Sequence, residues 1–399
     1  MRLGLGINHQ LVFKPAHLAG AATLIALIAN THRIRLALSR LSFSLQNSVS
    51  ETIFKVSHYL FGFLYSDTIG NQHIRLLRLP DADSSCPPQL TLHTFALDEC
   101  PPYLAISYTW GPYRDDPSLY LPCKLRSILF NGKPFAVLPN LHDALSQMCM
   151  SRPGHYLWVD SICINQTSLA ERSAQIAIID YIYNGTVETV IWLGPSSDST
   201  ARAIEVARLL ATDAHVKILQ WERNQILGDF FIADDPDMLA RNGLPSLSAD
   251  DWTVLEGIYT RAWFRRVWML QEVALSRNPN VLIGAHEVPW EVLGDAASVA
   301  GISGALIGLL ALGGGRPNIP LVQGLHHAVD LQMIREWRLG QDSRYREVLN
   351  SQEFTAGSKR EHPSKILQQL LLGTNRLKAT FRRDRFYALL GVANHMVRM

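Results

Sequence analysis

The chain reads YLAISY from Tyr103 to Tyr108, an apolar run rich in β-favouring residues that stops at Trp110-Gly111-Pro112. Two similar runs follow it, YLWVDSI at residues 156–162 and TVIWL at residues 189–193. Helical patterns of about ten to fifteen residues separate these runs, and this spacing predicts crossover connections between strands. The sequence therefore predicts an α/β fold with a mainly parallel sheet that helices cover on both faces.

The helices between the strands have recognisable start signals. Asn140 can cap a helix whose apolar residues follow at helical spacing. Ser168 and Glu171 form the S-x-x-E pattern of a capping box at the start of another helix. The second pattern gives the Glu171 carboxylate a structural role at a helix start, and we interpret it in that way.

Composition divides the chain into five predicted parts. They are a basic N-terminal helical extension (1–70), a linker with an entry strand (71–100), the main domain (101–294), a glycine-rich apolar connector (295–320) and a helical C-terminal region (321–399). The C-terminal part ends abruptly, which also fits a truncated chain.

The first fifty residues contain no Asp or Glu, whereas they contain five Lys or Arg residues. A mitochondrial presequence has this bias, and so does a signal anchor built on the apolar run at residues 18–29. That run is short for a membrane span, and a helix that packs on the domain or is poorly ordered is the third interpretation. We expect a cytoplasmic protein that does not associate with membranes, with mitochondrial targeting or N-terminal anchoring as alternatives.

Composition also excludes several classes of function. Charged residues make up 18% of the chain and the formal net charge is only +2, which argues against a nucleic-acid partner. The five cysteines are scattered and never spaced CxxC, which fits a reducing compartment and argues against a zinc site. Walker A, GxGxxG, GxSxG and HExxH patterns are missing from the sequence, so we expect neither a metal nor a bound cofactor.

Polar residues stand at the ends of the predicted strands, where parallel sheets bind ligands. Ser107 and Trp110 follow the first strand, and Asp160 and Asn165 follow the second. These residues are candidates for substrate binding. The alternative is structural: Asp160 and Asn165 would make Asx-type turns, and Trp110 would close the core.

Residues 261–276 (RAWFRRVWMLQEVALS) are predicted to form one continuous helix that combines aromatic and cationic side chains. Phe264, Trp268 and Glu272 would then share one face, since they are spaced four residues apart. A carboxylate beside an indole can stabilise a developing cation. The alternative for Glu272 is an ion pair with Arg265, with Arg266 or with a neighbouring helix. The two arginines could themselves hold phosphates.

The blocks YLAISYTWG, LWVDSICINQ followed by ERSAQ, and RAWFRRVWMLQE resemble the fungal heterokaryon incompatibility (HET) domain, in the order that this family has. VIWLG follows the second block, so the resemblance covers about residues 100–290. The late DRFYALLGVA is similar to a segment that is often found downstream in this family. The resemblance implies a role in fungal non-self recognition, in which the domain triggers programmed cell death.

HET domains are in turn similar to Toll/interleukin receptor (TIR) domains, which implies a flavodoxin-like sheet with additional N- and C-terminal helical segments. The spacing of Trp268 and Glu272 resembles the pattern around the glutamate of NAD-cleaving TIR domains. By this resemblance NAD is a substrate rather than a cofactor, and Glu272 is the catalytic residue. The residues expected to bind the substrate are Ser107, Trp110, Asp160, Asn165, Arg266, Trp268 and Gln271, with Arg266 facing the pyrophosphate.

Two other functions remain open at this point. The domain could be a non-enzymatic signalling module that self-associates, as many TIR-like domains do, or an inactive truncated member of the family. The expected partner is a second copy of the chain or an upstream recognition protein.

Overall fold

Two strands whose residues are all buried form the middle of the parallel part of the sheet, as expected for the apolar runs at residues 103–108 and 189–193. A computed structural model describes Tyr65 and residues 68–82, 89–114, 125–214, 216–218, 240, 243–302, 319–338, 377 and 384–398. The strands of this described part are β1 (His73–Arg78), β2 (Gln89–Ala96), β3 (Tyr103–Tyr108), β4 (Arg126–Phe130), β5 (Lys133–Val137), β6 (Tyr156–Trp158), β7 (Glu188–Gly194), β8 (Pro279–Ile283) and β9 (His286–Pro289). The two central strands are β3 and β7.

The helices of the described residues surround this sheet. They are α1 (Pro139–Ser151), α2 (Asp160–Cys163), α3 (Leu169–Ile176), α4 (Ile179–Gly185), α5 (Thr200–Ala211), α6 (Ala249–Val254), α7 (Glu256–Tyr259), α8 (Met269–Ala274), α9 (Trp290–Ile302), α10 (Ile319–Arg338) and α11 (Asp384–Arg398). A short 3-10 helix, Ala262–Arg265, precedes α8.

The sheet has nine strands in the order β5-β4-β2-β1-β6-β3-β7-β8-β9. Its pairings are parallel within β6-β3-β7-β8 and between β2 and β4, and antiparallel elsewhere. The α/β class is confirmed, but the sheet is mixed, so the predicted mainly parallel, flavodoxin-like sheet is not confirmed.

Antiparallel hairpins account for this difference. The β4–β5 hairpin turns at Asn131 and Gly132, whose φ angles are 48° and 76°. An Asn-Gly pair is the residue combination that a tight hairpin turn favours, because both positions need positive φ. The β8–β9 hairpin similarly turns at Gly284, with φ 57°. The strand-and-helix alternation of the central segment did not include these flanking hairpins.

The predicted strand at residues 156–162 is shorter than expected. Strand β6 ends at Trp158, and Asp160 begins the four-residue helix α2. Asn140 is not a helix cap, because Leu138 occupies that position and Pro139 starts α1. The Asn140 amide instead donates to the Thr109 carbonyl (2.7 Å) and accepts from the Trp192 indole (2.9 Å), which ties the exit of β3 to β7.

The predicted continuous helix over residues 261–276 is wrong. The chain forms the 3-10 helix, becomes extended at Arg266 (φ −82°, ψ 134°) and then begins α8. In a continuous helix, residues six positions apart point in different directions, since each residue turns the helix by about 100°. The break at Arg266 allows its side chain to turn back toward Glu272.

Two of the three helices after β9 pack on α8, the helix that contains Glu272, and the other packs on one of them. Helix α9 continues across residue 294, the predicted end of the main domain, and contacts α5 and α10. Helix α10 lies against α8 and the 3-10 helix, and α11 lies against α8 and α4. All described residues belong to one compact unit, Phe61–Met399.

Several predictions fall largely on residues that the structure does not describe. The basic extension at residues 1–70 is described only at Tyr65 and 68–70, and the connector at 295–320 only at its two ends. Within the described part of the chain, no helix has both the length and the apolar character that a membrane crossing requires.

Candidate functional site

Ser107, the fifth residue of β3, lies at the carboxyl end of the central strands and is 1% exposed. Its hydroxyl donates to Oε2 of Glu272 in a short hydrogen bond, and it accepts from the indole Nε1 of Trp263 (2.7 Å). Trp263 is itself 1% exposed. Ser107 therefore connects the sheet edge to both the 3-10 helix and α8.

Glu272 is 4% exposed and its two carboxylate oxygens both have partners. The Arg266 guanidinium donates to Oε1 and Oε2, each at 3.3 Å, and the Ser107 hydroxyl donates to Oε2. The ion pair that the sequence left open as an alternative is therefore present. A charge taken out of water needs such partners, because an unpaired buried carboxylate would cost several kcal/mol.

A second carboxylate, Asp160, stands at the start of α2 beside this group. Both of its oxygens accept from the Trp110 indole Nε1, at 3.0 and 3.1 Å, and Oδ1 also accepts from the Ser161 backbone N–H (2.6 Å). The Gln166 amide donates to the Asp160 carbonyl oxygen (2.8 Å). The interaction of Trp110 with Asp160 joins the two strand exits that the sequence singled out.

The charges of Asp160, Arg266 and Glu272 interact. Burial raises the pKa of Asp160 to about 6, with Arg266 acting to lower it and Glu272 to raise it. The pKa of Arg266 is raised: burial disfavours its charge, but Glu272 and Asp160 outweigh that effect. The two carboxylates and one guanidinium thus form a single electrostatic unit, which we call the carboxylate cluster (Asp160, Arg266, Glu272 with Ser107 and Trp110).

Two tyrosines border the carboxylate cluster, and no local pattern in the sequence singles out either of them. The Tyr108 hydroxyl donates to the Ser161 hydroxyl (2.7 Å), and Tyr183 in α4 packs edge-on against Trp158 with ring centroids 5.5 Å apart. Burial raises the pKa of both phenols well above the usual value, and the nearby carboxylates raise it further. Both tyrosines are therefore neutral, and they surround the cluster with low-polarity rings.

The other sequence-predicted site residues lie in different surroundings. The Asn165 side chain accepts from the backbone N–H (3.1 Å) and hydroxyl (2.6 Å) of Thr167, which is the Asx-type turn of the structural alternative. Trp268 is partly buried against the core and immediately precedes α8. The Gln271 side chain is fully buried, and its amide lies 3.0 Å from the carbonyls of Tyr387 and Ala388 in α11, so we assign the NH₂ group as the donor to both. The structure therefore places the Gln271 amide against α11 instead of in the carboxylate cluster.

Glu171 is fully buried at the start of α3 and has a structural environment. Its backbone N–H donates to the Ser168 hydroxyl (3.2 Å), which is one half of the predicted capping box. Its carboxylate, however, accepts from Arg75 and from the backbone N–H groups of Ile69 (3.1 Å) and Asn165 (2.6 Å). The contact with Arg75 fastens β1 to the helix layer, a link across 96 positions that local spacing could not indicate.

Helix α10 holds the far end of α8 in place. Arg335 donates to the carbonyls of Val273 (3.2 Å) and Ser276 (2.6 Å), and Arg338 donates to the carbonyl of Ala274 (2.8 Å). The last carbonyls of a helix have no partner within the helix, and cations there also interact favourably with the helix dipole. Two arginines from outside the predicted main domain thus cap the helix that positions Glu272.

The arrangement can hold a cation or a pair of hydroxyl groups, because a carboxylate at the carboxyl edge of a sheet accepts hydrogen bonds in a poorly hydrated setting. Among the residues that the structure describes, no three His, Cys, Asp or Glu side chains converge as a metal site requires.

Comparison with known proteins agrees with this placement of the three sequence blocks. The family described as heterokaryon incompatibility protein (HET) matches residues 103–272, from the first residue of β3 to Glu272. Residues 103–272 of the chain match the HET domain. The HET domain so defined therefore begins at the central strand and ends at the carboxylate of the cluster.

A curated relative, heterokaryon incompatibility protein 6, OR allele, from Neurospora crassa, is 26% identical over 351 residues. The match covers 80% of this chain and 47% of the relative, so the chain spans about half of that protein's length. No solved structure was found to match the chain.

Proposed function

We propose that this HET-domain protein acts in fungal non-self recognition and triggers programmed cell death by cleaving the nicotinamide–ribose bond of NAD. The first part of the proposal is supported by the HET match and by a relative named for heterokaryon incompatibility. The second part depends on one observation, the buried Glu272 carboxylate held by Ser107 at the carboxyl end of β3.

The position of Glu272 beside the carboxyl end of β3 supports a nucleotide substrate. Four parallel strands lie side by side in the order β6-β3-β7-β8. If these four are numbered by their order in the sequence, the spatial order is 2-1-3-4. Flavodoxin-like sheets have this order at their first four positions, and they bind ligands where the strand order reverses, next to the first strand. Ser107 is at the carboxyl end of that strand, β3, and its partner Glu272 adjoins the same edge.

In the proposed reaction, the bond between ribose C1′ and the nicotinamide nitrogen breaks and its electron pair stays with nicotinamide. The ribose becomes oxocarbenium-like, and a negative carboxylate stabilises that charge. Water then attacks C1′ and loses a proton, so that the products are nicotinamide, ADP-ribose and H⁺. Glu272 is the catalytic residue of this scheme, and Trp110 offers a ring surface beside it.

For Glu272 to meet a substrate, Arg266 must leave at least one of its oxygens. Arg266 has an extended backbone and lies between the 3-10 helix and α8. Its side chain can therefore turn without unwinding either helix. A guanidinium bound to a carboxylate occupies the position that a cationic ribose would take. Arg266 therefore competes with the substrate for Glu272 and does not face the pyrophosphate.

The test is to incubate the purified full chain at high concentration with NAD and to follow nicotinamide release by chromatography. Wild type should release nicotinamide, and Glu272→Gln, which keeps the size of the side chain, should not. Glu287→Gln on strand β9 is the matched control and should behave as wild type. Equal release by Glu272→Gln, or none by wild type in any oligomeric state, would refute the enzymatic proposal.

A second candidate is a non-enzymatic signalling module, which the burial of Glu272 favours. At 4% exposure, with Ser107 and Arg266 as partners, the carboxylate has the environment of a structural ion pair. In this case the Glu272→Gln variant would still kill cells on expression, whereas a variant that cannot self-assemble would no longer kill them. A folded Glu272→Gln variant that no longer kills excludes the second candidate.

A further inference from the structure

Two arginines, Arg114 and Arg261, lie together at the carboxyl end of β7, outside the carboxylate cluster. Arg261 is 1% exposed. Its Nη1 donates to the carbonyls of Leu193 and Pro195, each at 3.0 Å, so the guanidinium sits where the chain leaves the strand. The backbones of Arg114 and Arg261 form an isolated antiparallel bridge, which holds the two residues side by side.

Both guanidiniums lie over the ring of Tyr113. Its ring centroid is 5.1 Å from the guanidinium carbon of Arg261 and 5.8 Å from that of Arg114. The ring also packs on Gly194, where a Cβ atom would come within 2.6 Å of Tyr113 side-chain atoms and where φ is +104°. Residues from three distant parts of the chain therefore meet here: Tyr113 follows the first sequence block, Gly194 ends the VIWLG segment after the second, and Arg261 begins the third.

The two arginines have no acidic partner among the described residues. The partners of Arg261 are backbone carbonyls, and Nε of Arg114 is buried without a hydrogen bond. Burial lowers the pKa of Arg261 to about 10, and the neighbouring charge of Arg114 lowers it further. Two like charges held together in a poorly hydrated place are costly, and an anion that binds there would remove much of that cost.

We propose that Arg114 and Arg261 form a binding site for the phosphate groups of a nucleotide ligand. Arg114 is partly exposed and provides the direct contact, while the buried Arg261 adds charge behind it. This site rests on the proposed function, because it would bind the pyrophosphate of the dinucleotide substrate. Arg266 does not take that role, since it is paired with Glu272. As a site for phosphate it does not require that any bond be cleaved.

The register of the sheet brings the two sites within the length of one nucleotide. Ser107 pairs with Ile191 on β7, and Leu193 lies two residues further toward the carboxyl end. Two strand residues span about 7 Å, and neighbouring strands lie about 5 Å apart. A ligand whose ribose reaches Glu272 can therefore extend over the edge of β7 to Arg114.

The experiment is calorimetric titration of the full chain with inorganic pyrophosphate. Adenosine, which has no phosphate, is the uncharged control ligand. Wild type should bind pyrophosphate and not adenosine. Arg114→Gln should weaken pyrophosphate binding by about tenfold or more, since a charge-assisted hydrogen bond is lost. Arg114→Lys, which keeps the charge but not the planar fork, should lie between the two.

The matched control is Arg126→Gln, an exposed arginine on β4 with a single carboxylate partner, Asp143. It should bind pyrophosphate as wild type does, and an equal loss in this variant would mean that binding follows net charge alone, which overturns the site. Absence of pyrophosphate binding by folded wild type overturns it as well.

Asp115 and Asp116 follow Arg114 in sequence and lie outside the described residues. If the double variant Asp115→Asn with Asp116→Asn binds pyrophosphate at least tenfold more tightly than wild type, these aspartates are the partners of the arginines and the proposal is overturned. Binding equal to wild type supports it.

Glu272→Gln separates this inference from the proposed function. The variant should bind pyrophosphate as wild type does, because its carboxylate belongs to the other group. Arg114-dependent binding without nicotinamide release would keep the phosphate site and refute NAD cleavage. If wild type releases nicotinamide but Arg114→Gln binds pyrophosphate as wild type does, NAD cleavage is kept and the phosphate site is refuted.

Discussion

Ser107 and Glu272 are hydrogen-bonded to each other although 165 positions separate them in sequence. This contact holds α8 against the carboxyl end of β3, and the indole of Trp263 donates to the same hydroxyl. One small side chain thus joins the first and last parts of the segment that matches the HET domain.

Ser107→Ala should lower the free energy of unfolding by about 1–3 kcal/mol, because the Trp263 N–H loses its acceptor and Glu272 loses a donor in a buried place. Urea unfolding followed by tryptophan fluorescence measures this change. The control is Ser127→Ala on β4, an exposed strand serine whose loss should have little effect. Similar small effects of the two variants would contradict the structural role of Ser107.

The Arg266–Glu272 pair should show strong coupling. Either single variant, Arg266→Gln or Glu272→Gln, should cost about 3 kcal/mol of stability, because it leaves a buried charge without its partner. The double variant should cost less than the sum of the two, by about 1–3 kcal/mol. A double-mutant cycle in urea measures the coupling, and strictly additive losses would show that the pair does not form in solution.

Asp160 should make stability fall as the pH rises from about 4 to 6. Its pKa in the folded protein is raised to about 6, so the folded state keeps the proton where the unfolded state loses it. The contribution is therefore fully present below the unfolded pKa of about 4 and is lost as the pH passes the folded value. A shift of about two units corresponds to about 3 kcal/mol.

Urea unfolding at a series of pH values measures this dependence. Asp160→Asn should flatten it in that interval, since its amide oxygen still accepts from Trp110 but carries no proton equilibrium. Asp98→Asn, at an exposed position after β2, serves as the control and should leave the dependence intact. An unchanged slope in Asp160→Asn would assign the titration to another group.

Gly324→Ala should disrupt the docking of α10. A Cβ atom at Gly324 would lie 1.8 Å from the carbonyl oxygen of Tyr259, so α10 would have to move away from the segment that leads to α8. The expected loss of stability is about 2 kcal/mol or more. Thermal or urea unfolding measures it.

Gly301→Ala in α9 is the matched control. Its Cβ would meet only the Val329 side chain, at 3.4 Å, and alanine favours a helix over glycine by up to about 1 kcal/mol. This variant should be neutral or more stable than wild type, and the prediction fails if the two glycine variants behave alike.

Much of the fold was readable from local pattern, and the failures have identifiable causes. The apolar runs at residues 103–108 and 189–193 predicted the two central strands because a strand buried on both faces has few other compositions. The β4–β5 hairpin was missed although its Asn131-Gly132 turn is a strong local signal. By contrast, the break at Arg266 has no local signal, because residues 261–276 have good helix-forming periodicity.

The site was predicted in part. Ser107, Trp110, Asp160, Arg266 and Glu272 do come together, which their positions at strand ends and in one sequence block suggested. The roles of Trp263 and of the two tyrosines could not be predicted, because a buried aromatic residue gives the same sequence pattern whether or not it borders a polar group. The contact of the Gln271 amide with α11 could not be predicted from local pattern, because that helix is more than a hundred positions away.

The sequence by itself determined the α/β class, the central strands and the family, since these depend on apolar periodicity and on blocks of neighbouring residues. Only the tertiary structure decided that Arg266 pairs with Glu272, that Arg114 and Arg261 are left without a carboxylate among the described residues, and that α10 and α11 hold α8 in place. The physical reason is that electrostatic pairing and capping depend on distances between side chains, and chain folding sets those distances irrespective of separation in sequence.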